Sequence, residues 1–182
     1  FGVPDIVIAN AGVSVGTLTE HAEDIAVFGR VMQTNVVGLA ATFHPFIASM
    51  RAARHGRLAG IASVAGMRGI PGAGAYSASK AAAITYLEAL RVELRSSGVK
   101  VVTVCPGYVA TPLTAVNRYR MPFILPADVA ARRIARVIDA GRAYAVVPWQ
   151  MALVARAMKL MPNAVYDRLF KRAGRKPRGL KL

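Results

Sequence analysis

Four short runs of unbroken apolar residues mark the chain, and between them apolar positions recur every third or fourth residue. The runs are PDIVIANAG from Pro4, GRLAGIAS from Gly56, VKVVTVCPG from Val99 and AYAVVP from Ala143. Each has the length of a buried strand and ends in Asn, Gly, Ser or Pro, residues that open loops. The intervening segments read as helices. From about Asp24 to Ala53, Ile25, Phe28, Val31 and Met32 fall on one side. From Tyr76 to Arg95 the stripe is Ile84, Leu87, Leu90 and Leu94. PADVAARRIARVIDAG, from Pro126 to Gly141, has a Pro-Ala-Asp start, a stripe of Val129, Ile134, Val137 and Ile138, and a terminal glycine. Strands that are apolar throughout are covered on both faces, so the pattern predicts an α/β fold: a doubly wound parallel sheet of about four strands.

In such sheets ligands bind beyond the carboxyl ends of the strands. Here those ends carry Asn10-Ala11-Gly12, Ser63 and Pro106-Gly107, and all three fall on one rim.

Composition narrows the picture. A chain of 182 residues, 54% hydrophobic and 18% charged, is globular rather than disordered. The one cysteine, Cys105, excludes an internal disulfide, fits a reducing compartment such as the cytoplasm, and follows a strand as a buried thiol does. The three histidines have no metal-ligand spacing. The net charge is +15, and seven basic residues crowd the end of the chain: Arg168, Lys171, Arg172, Arg175, Lys176, Arg178 and Lys181. No nucleic-acid-reading module accompanies them, so no nucleic-acid partner is expected. No run reaches the roughly twenty apolar residues that span a bilayer.

The candidate chemistry lies in GAYSASKAA. Tyr76 and Lys80 stand four residues apart, on one face of a helix, among small residues. An ammonium beside a phenol favours the phenolate and lowers a pKa that is ordinarily about 10, which suits Tyr76 to proton transfer near neutrality. Small residues also let a helix approach its neighbour closely, so the pair alone leaves packing open as its reason.

Five segments, in order, resemble the short-chain dehydrogenase/reductase family. FGVPDIVIANAG is similar to its Asn-Asn-Ala-Gly strand, with Ala9 in place of the first Asn. VMQTNVVG is similar to the helix that bears the family's catalytic Asn, here Asn35. GIASVAG carries the Ser, Ser63; YSASK carries Tyr76 and Lys80; CPGYVATPL is similar to the loop around the nicotinamide. The resemblance implies a Rossmann-like sheet, NAD or NADP as cofactor, and interconversion of an alcohol and a carbonyl on a small molecule. It makes Tyr76 the proton-transfer group, Ser63 the hydrogen-bond donor to the substrate oxygen, and Lys80 the partner of both the tyrosine and the cofactor ribose. Asn35 would hold a water that relays protons to Lys80. Asn10, Ala11, Gly12, Pro106, Gly107, Val109 and Thr111 would surround the cofactor. The two long helices would form a homo-oligomer interface.

One departure matters. The family's Thr-Gly-x-x-x-Gly-x-Gly phosphate turn is not in this sequence, and the glycine-rich Gly69–Tyr76 stretch lies where the family has a substrate-side loop. The chain opens on Phe1 at what would be the family's fourth strand, so the expectation is a fragment: residues 1–148 as part of a dinucleotide-binding domain and 149–182 as a C-terminal amphipathic helix and basic tail. A chain so cut is expected to be inactive alone, its first strand an open edge. A non-catalytic interaction or membrane-surface piece is the other class that this leaves open.

After Thr111, PLTAVNRYRMPFILP is read as a short substrate lid, apolar at Met121, Phe123, Ile124 and Leu125 with Arg118 and Arg120 nearby, and suited to a lipophilic substrate. PWQMALVARAMKLMP, with Met151, Leu153, Val154, Met158, Leu160 and Met161, reads as a helix that either packs on the domain or lies in a membrane surface, with Trp149 and Tyr166 at the boundary.

Overall fold

The computed structural model describes residues 2–117 and 119–179. Phe1, Arg118 and Lys181 lie outside the described residues. All four apolar runs form strands: β1 (Ile6–Ala9), β2 (Arg57–Ile61), β3 (Lys100–Pro106) and β6 (Tyr144–Val147). They pair in parallel in the order β1-β2-β3-β6. The register aligns Leu58 with Val101 and Ala59 with Val102. Because side chains alternate along a strand, the first pair faces one side of the sheet and the second faces the other.

Helices cover both faces. α2 (Gly38–Ala53) and α3 (Gly74–Glu93) bury Phe43, Met50, Leu87 and Leu90 against Leu58, Val101 and Ala9. On the opposite face α5 (Ala127–Asp139) buries Ile138 against Ala59, Val102, Val104 and Val147. Phe43, Met50, Leu58 and Leu87 are fully buried, each removal from water favouring the fold by about 1.5–3 kcal/mol.

The long helix predicted from about Asp24 to Ala53 is continuous but not uniform. α1 (Glu23–Met32) runs into a π-helical segment, Gln33–Val37, and then into α2. By length and composition, Glu23–Ala53 reaches what a membrane span requires, at a mean hydropathy of 1.2, although its apolar residues do not form one continuous run. It buries Val31, Leu39, Phe43 and Met50 within the fold, as a sheet-covering helix does.

Three short elements escaped the sequence pattern. β4 (Val109–Ala110) pairs in parallel with β5 (Leu125–Pro126), and α4 (Pro112–Ala115) lies between them. Two-residue strands carry no periodicity to read. Beyond β6, α6 (Trp149–Leu160) and α7 (Asn163–Phe170) follow. α6 turns Met151, Val154, Ala155 and Met158 onto Val64 and Tyr108.

α3 comes unusually close to the turn after β2. A Cβ on Gly66 would stand 2.7 Å from the Lys80 carbonyl carbon and 2.8 Å from Ala81 N. The small residues Ala75, Ser77, Ser79 and Ala83 are all buried on this helix, so close packing is one reason for the small residues around Tyr76 and Lys80. Gly66→Ala should lower the unfolding free energy by roughly 1–3 kcal/mol through overpacking, read as a lower urea midpoint at unchanged slope. Gly69→Ala, where a Cβ would meet nothing within 4 Å, is the control and should shift the midpoint little.

Candidate active site

The carboxyl ends of the parallel strands bring the predicted residues to one rim. Ser63 follows β2, Pro106-Gly107 closes β3, and the Asn10–Gly12 loop leaves β1. Tyr76 and Lys80 project from the first turns of α3, which is seated against the turn after Ser63 by the Gly66 contact.

Asn35 is buried to 1% exposure inside the π-helical segment. Its Oδ1 accepts from Val13 N at 2.8 Å. Its Nδ2 donates to Val13 O at 2.9 Å and to Ser79 Oγ at 2.9 Å. The amide's hydrogen bonds go to the loop after β1 and to α3. The local widening of the helix, a feature common at functional sites, carries the residue that ties these parts together.

Lys80 is buried at 4% exposure. Its Nζ donates to Ile61 O at 2.8 Å and lies 5.8 Å from the Tyr76 ring centroid. Burial holds the ammonium down to about 8 from 10.5. A Cβ on Gly12 would be 3.3 Å from Lys80 Nζ and 3.4 Å from Asn35 Oδ1, so the loop backbone passes right over the lysine. Tyr76 differs from expectation. Burial pushes its phenol up from 10.0, opposed by a hydrogen bond with the Ser63 side chain. Desolvation of the phenolate is the largest cause, and it favours the protonated phenol. Ser63 Oγ also accepts from Ala65 N at 3.1 Å, capping the turn Val64–Gly66. Cys105 is fully buried, and burial pushes its thiol up to about 11, as an inert strand thiol requires.

Two cavities adjoin here. One, of about 770 Å³, is lined by Asn10, Gly12, Lys80, Val109 and Thr111, with α5 forming its far wall. The other, of about 430 Å³, is lined mainly by apolar side chains, Met151, Val154, Met158 and Phe170 among them. Ser63, Tyr76, Pro106 and Gly107 belong to both. Of the predicted residues, Ala11, which is exposed, and Asn35, which is buried, line neither cavity.

The segment read as the lid does line the second cavity, through Leu113, Thr114, Asn117, Tyr119, Arg120 and Pro122. Of the apolar residues named in it, Phe123 and Ile124 are exposed at 50% and 41%. The expected boundary residue Tyr166 is buried, donates to Gly69 O at 2.6 Å and carries Arg68 over its ring at 4.0 Å. Trp149 is exposed. Lys176, read as part of a basic tail, is buried and lines the second cavity. Its spacing gave no signal, because an irregular segment has no period.

The pattern of the short chain dehydrogenase family matches residues 1–121. An uncharacterized oxidoreductase of Myxococcus xanthus is 41% identical over 163 residues, 90% of this chain and 64% of the relative. Cis-4-hydroxycyclohexanecarboxylate dehydrogenase of Sinomonas cyclohexanicum is 34% identical over 136 residues, 75% of this chain and 51% of the relative. The chain therefore spans between half and two thirds of the length of these relatives. Among solved structures, a short chain dehydrogenase from Burkholderia cenocepacia in complex with NADP superposes with a TM-score of 0.77 at 23% identity, over 90% of this chain and 68% of that one. This likeness establishes the fold.

The buried lysine sets a pH signature. Between pH 8 and 10.5 the folded chain binds fewer protons at Lys80 than the unfolded chain does, so this group makes stability rise with pH across that window. Lys80→Met should remove the rise. The difference between wild-type and variant unfolding free energies should grow by up to about 3 kcal/mol from pH 8 to 10.5, at 1.36 kcal/mol per pKa unit. The Cys105 thiol acts in the opposite sense between pH 9 and 11, but it is common to both proteins and cancels to first order. A pH-independent difference would show that the ammonium is not desolvated.

Proposed function

The chain belongs to the short chain dehydrogenase family, and from that premise we propose that it carries the catalytic half of an NAD- or NADP-dependent oxidoreductase interconverting an alcohol and a carbonyl on a lipophilic substrate. The observation that carries the reading is the meeting of two cavities at Ser63 and Tyr76. A dehydrogenase needs a hydride carrier and a substrate carbon on either side of one proton-transfer group, and the rim offers that arrangement.

The larger cavity suits the nicotinamide end of a dinucleotide. Asn10, Gly12, Lys80, Pro106, Gly107, Val109 and Thr111 would hold it there, with Gly12 leaving room that a side chain would fill. Bound there, the nicotinamide supplies the hydride acceptor or donor. Tyr76, held protonated by burial, gives its proton to the substrate oxygen during reduction and takes one back during oxidation. Ser63 donates a hydrogen bond to the same oxygen as charge develops on it. Lys80 presents a cation beneath the ring, and Asn35 positions the Val13 backbone and, through Ser79, the turn of α3 that carries Tyr76 and Lys80. The apolar lining of the smaller cavity favours a lipophilic substrate.

Turnover assays with NADH and NADPH, on the 182-residue chain and on a form extended at its N-terminus, test the reading. Tyr76→Phe should lower turnover by roughly 10²–10⁴-fold, the usual general-acid contribution, while leaving nucleotide titration unchanged. Full activity in that variant would remove the proton-transfer assignment.

A surface role accompanies the chemistry. α6 keeps Trp149, Leu153 and Leu160 exposed at 66%, 61% and 75%. Their spacing of four and seven puts them on one helix face, and Arg156 shares it. That face suits the membrane surface, as the exposed Ile25, Phe28 and Val37 of the α1–α2 helix suit a second copy of the chain. Trp149→Gln, Leu153→Gln and Leu160→Gln together should abolish co-sedimentation with anionic vesicles without altering the melting curve; equal sedimentation of both forms would assign the face to protein contact.

A further inference from the structure

The segment after α7 returns across the smaller cavity as an extended strap. Ala173, Gly174 and Lys176 line that cavity. Gly16 N donates to Pro177 O at 2.9 Å. A Cβ on Gly16 would stand 2.1 Å from Lys176 O, so the two backbones meet only because Gly16 has no side chain. Beyond it, Arg178 Nε lies 2.7 Å from Asp24 Oδ2 and its NH2 group 3.0 Å from Glu23 Oε1. The strap is thus moored immediately after Lys176, at Pro177 and Arg178.

Lys176 is the chemically odd member. It is 8% exposed, and its Nζ donates to Leu113 O at 3.0 Å. That leaves two of its three protons without a partner among the described residues. No Asp or Glu lines the cavity. Lys176 lines a mainly apolar space, and a buried ammonium without a counter-ion is unfavourable unless something anionic enters. Burial holds its pKa down, the direction expected of an unpaired cation. A second buried polar atom in the same wall, Asn117 Oδ1, finds no donor among the described residues. Acidic side chains of the nearby α1 do not compensate Lys176, since Asp24 and Glu23 are engaged by Arg178.

We propose that Lys176 determines substrate class: it binds the carboxylate of an oxo or hydroxy acid whose apolar body fills the 430 Å³ cavity lined by Ser63 and Tyr76. The assignment of the reacting oxygen to the Ser63–Tyr76 end rests on the dehydrogenase reading; the anion site at Lys176 does not. The lipophilic substrate is on this reading amphiphilic. Its hydrocarbon meets Met151, Val154 and Met158, its charge meets the strap, and the Asn117 carbonyl accepts from any donor it carries.

The experiment is equilibrium binding by calorimetry, without cofactor or turnover. The probes are cyclohexanecarboxylate, octanoate and 4-oxocyclohexanecarboxylate, each against its methyl ester. In the wild-type chain the acids should bind at least about 10-fold tighter than the esters, since only the acids can make the charge-assisted contact. Lys176→Met should bring the ratio to near one by weakening the acids alone. Lys176→Arg, which keeps the charge, should preserve a preference. Arg178→Ala, which loosens the mooring but leaves Lys176 intact, should weaken the acids without inverting the ratio. Equal binding of acids and esters by the wild type, no binding of any probe, or a ratio that survives Lys176→Met would overturn the proposal. So would a ratio lost instead in Arg120→Gln, the exposed cation at the rim. Because the ratio is read without turnover, a failed dehydrogenase assay leaves it standing, and its own failure leaves the Tyr76 result untouched.

Discussion

The Asn35 amide is the joint on which the site hangs. Three hydrogen bonds from one fully buried side chain tie the loop after β1 to α3. A buried amide left with any of these unpaired would lose roughly 1–3 kcal/mol per group, so loop, helix and π-helical segment hold one another in place. The consequence reaches Lys80 and Tyr76. Ser79, which accepts from Asn35, donates to Tyr76 O at 2.8 Å, and the Gly12 backbone is drawn over the Lys80 ammonium. The π-helical segment is what allows a polar residue on a long, otherwise sheet-covering helix to reach across to α3.

Burial then sets the chemistry. The same close packing that brings α3 onto the turn after β2 buries Lys80 and leaves Tyr76 half-buried between the two cavities. Desolvation raises the phenol and lowers the ammonium, so both groups are pushed toward their neutral forms. The proton on Tyr76 is thereby held ready for a substrate oxygen. Lys80 is kept from being an isolated buried charge by the Ile61 carbonyl.

The C-terminal residues show how one element can serve two sides. α6 gives Met151, Val154 and Met158 to the cavity and leaves Trp149, Leu153 and Leu160 outside. Its apolar surface is nearly continuous in sequence, so periodicity alone could not say which half faces inward. Tyr166, whose type suits a membrane boundary, is instead taken inward by the Gly69 carbonyl and the Arg68 guanidinium. The basic tail divides in the same way. Arg178 meets carboxylates on α1, and Lys176 is drawn under the strap.

By itself the sequence determined the parallel sheet, since unbroken apolar runs of strand length have nowhere to go but between two helical layers. It also determined that Asn10–Gly12, Ser63 and Pro106-Gly107 share a rim, because residues at the carboxyl ends of parallel strands must. Tertiary structure decided what depends on distance rather than order. The i, i+4 spacing put Lys80 near Tyr76, at 5.8 Å from the ring centroid, but only the packed environment decided that burial raises the phenol. The apolar letters of the lid named Phe123 and Ile124, yet a turn with Phe123 at φ 55° sends them outward. Lys176 reached the cavity through chain return across about sixty residues from Leu113, and no local pattern encodes a contact of that range: its driving forces, the Arg178 ion pairs and the bare Gly16 backbone, exist only once the helices are assembled.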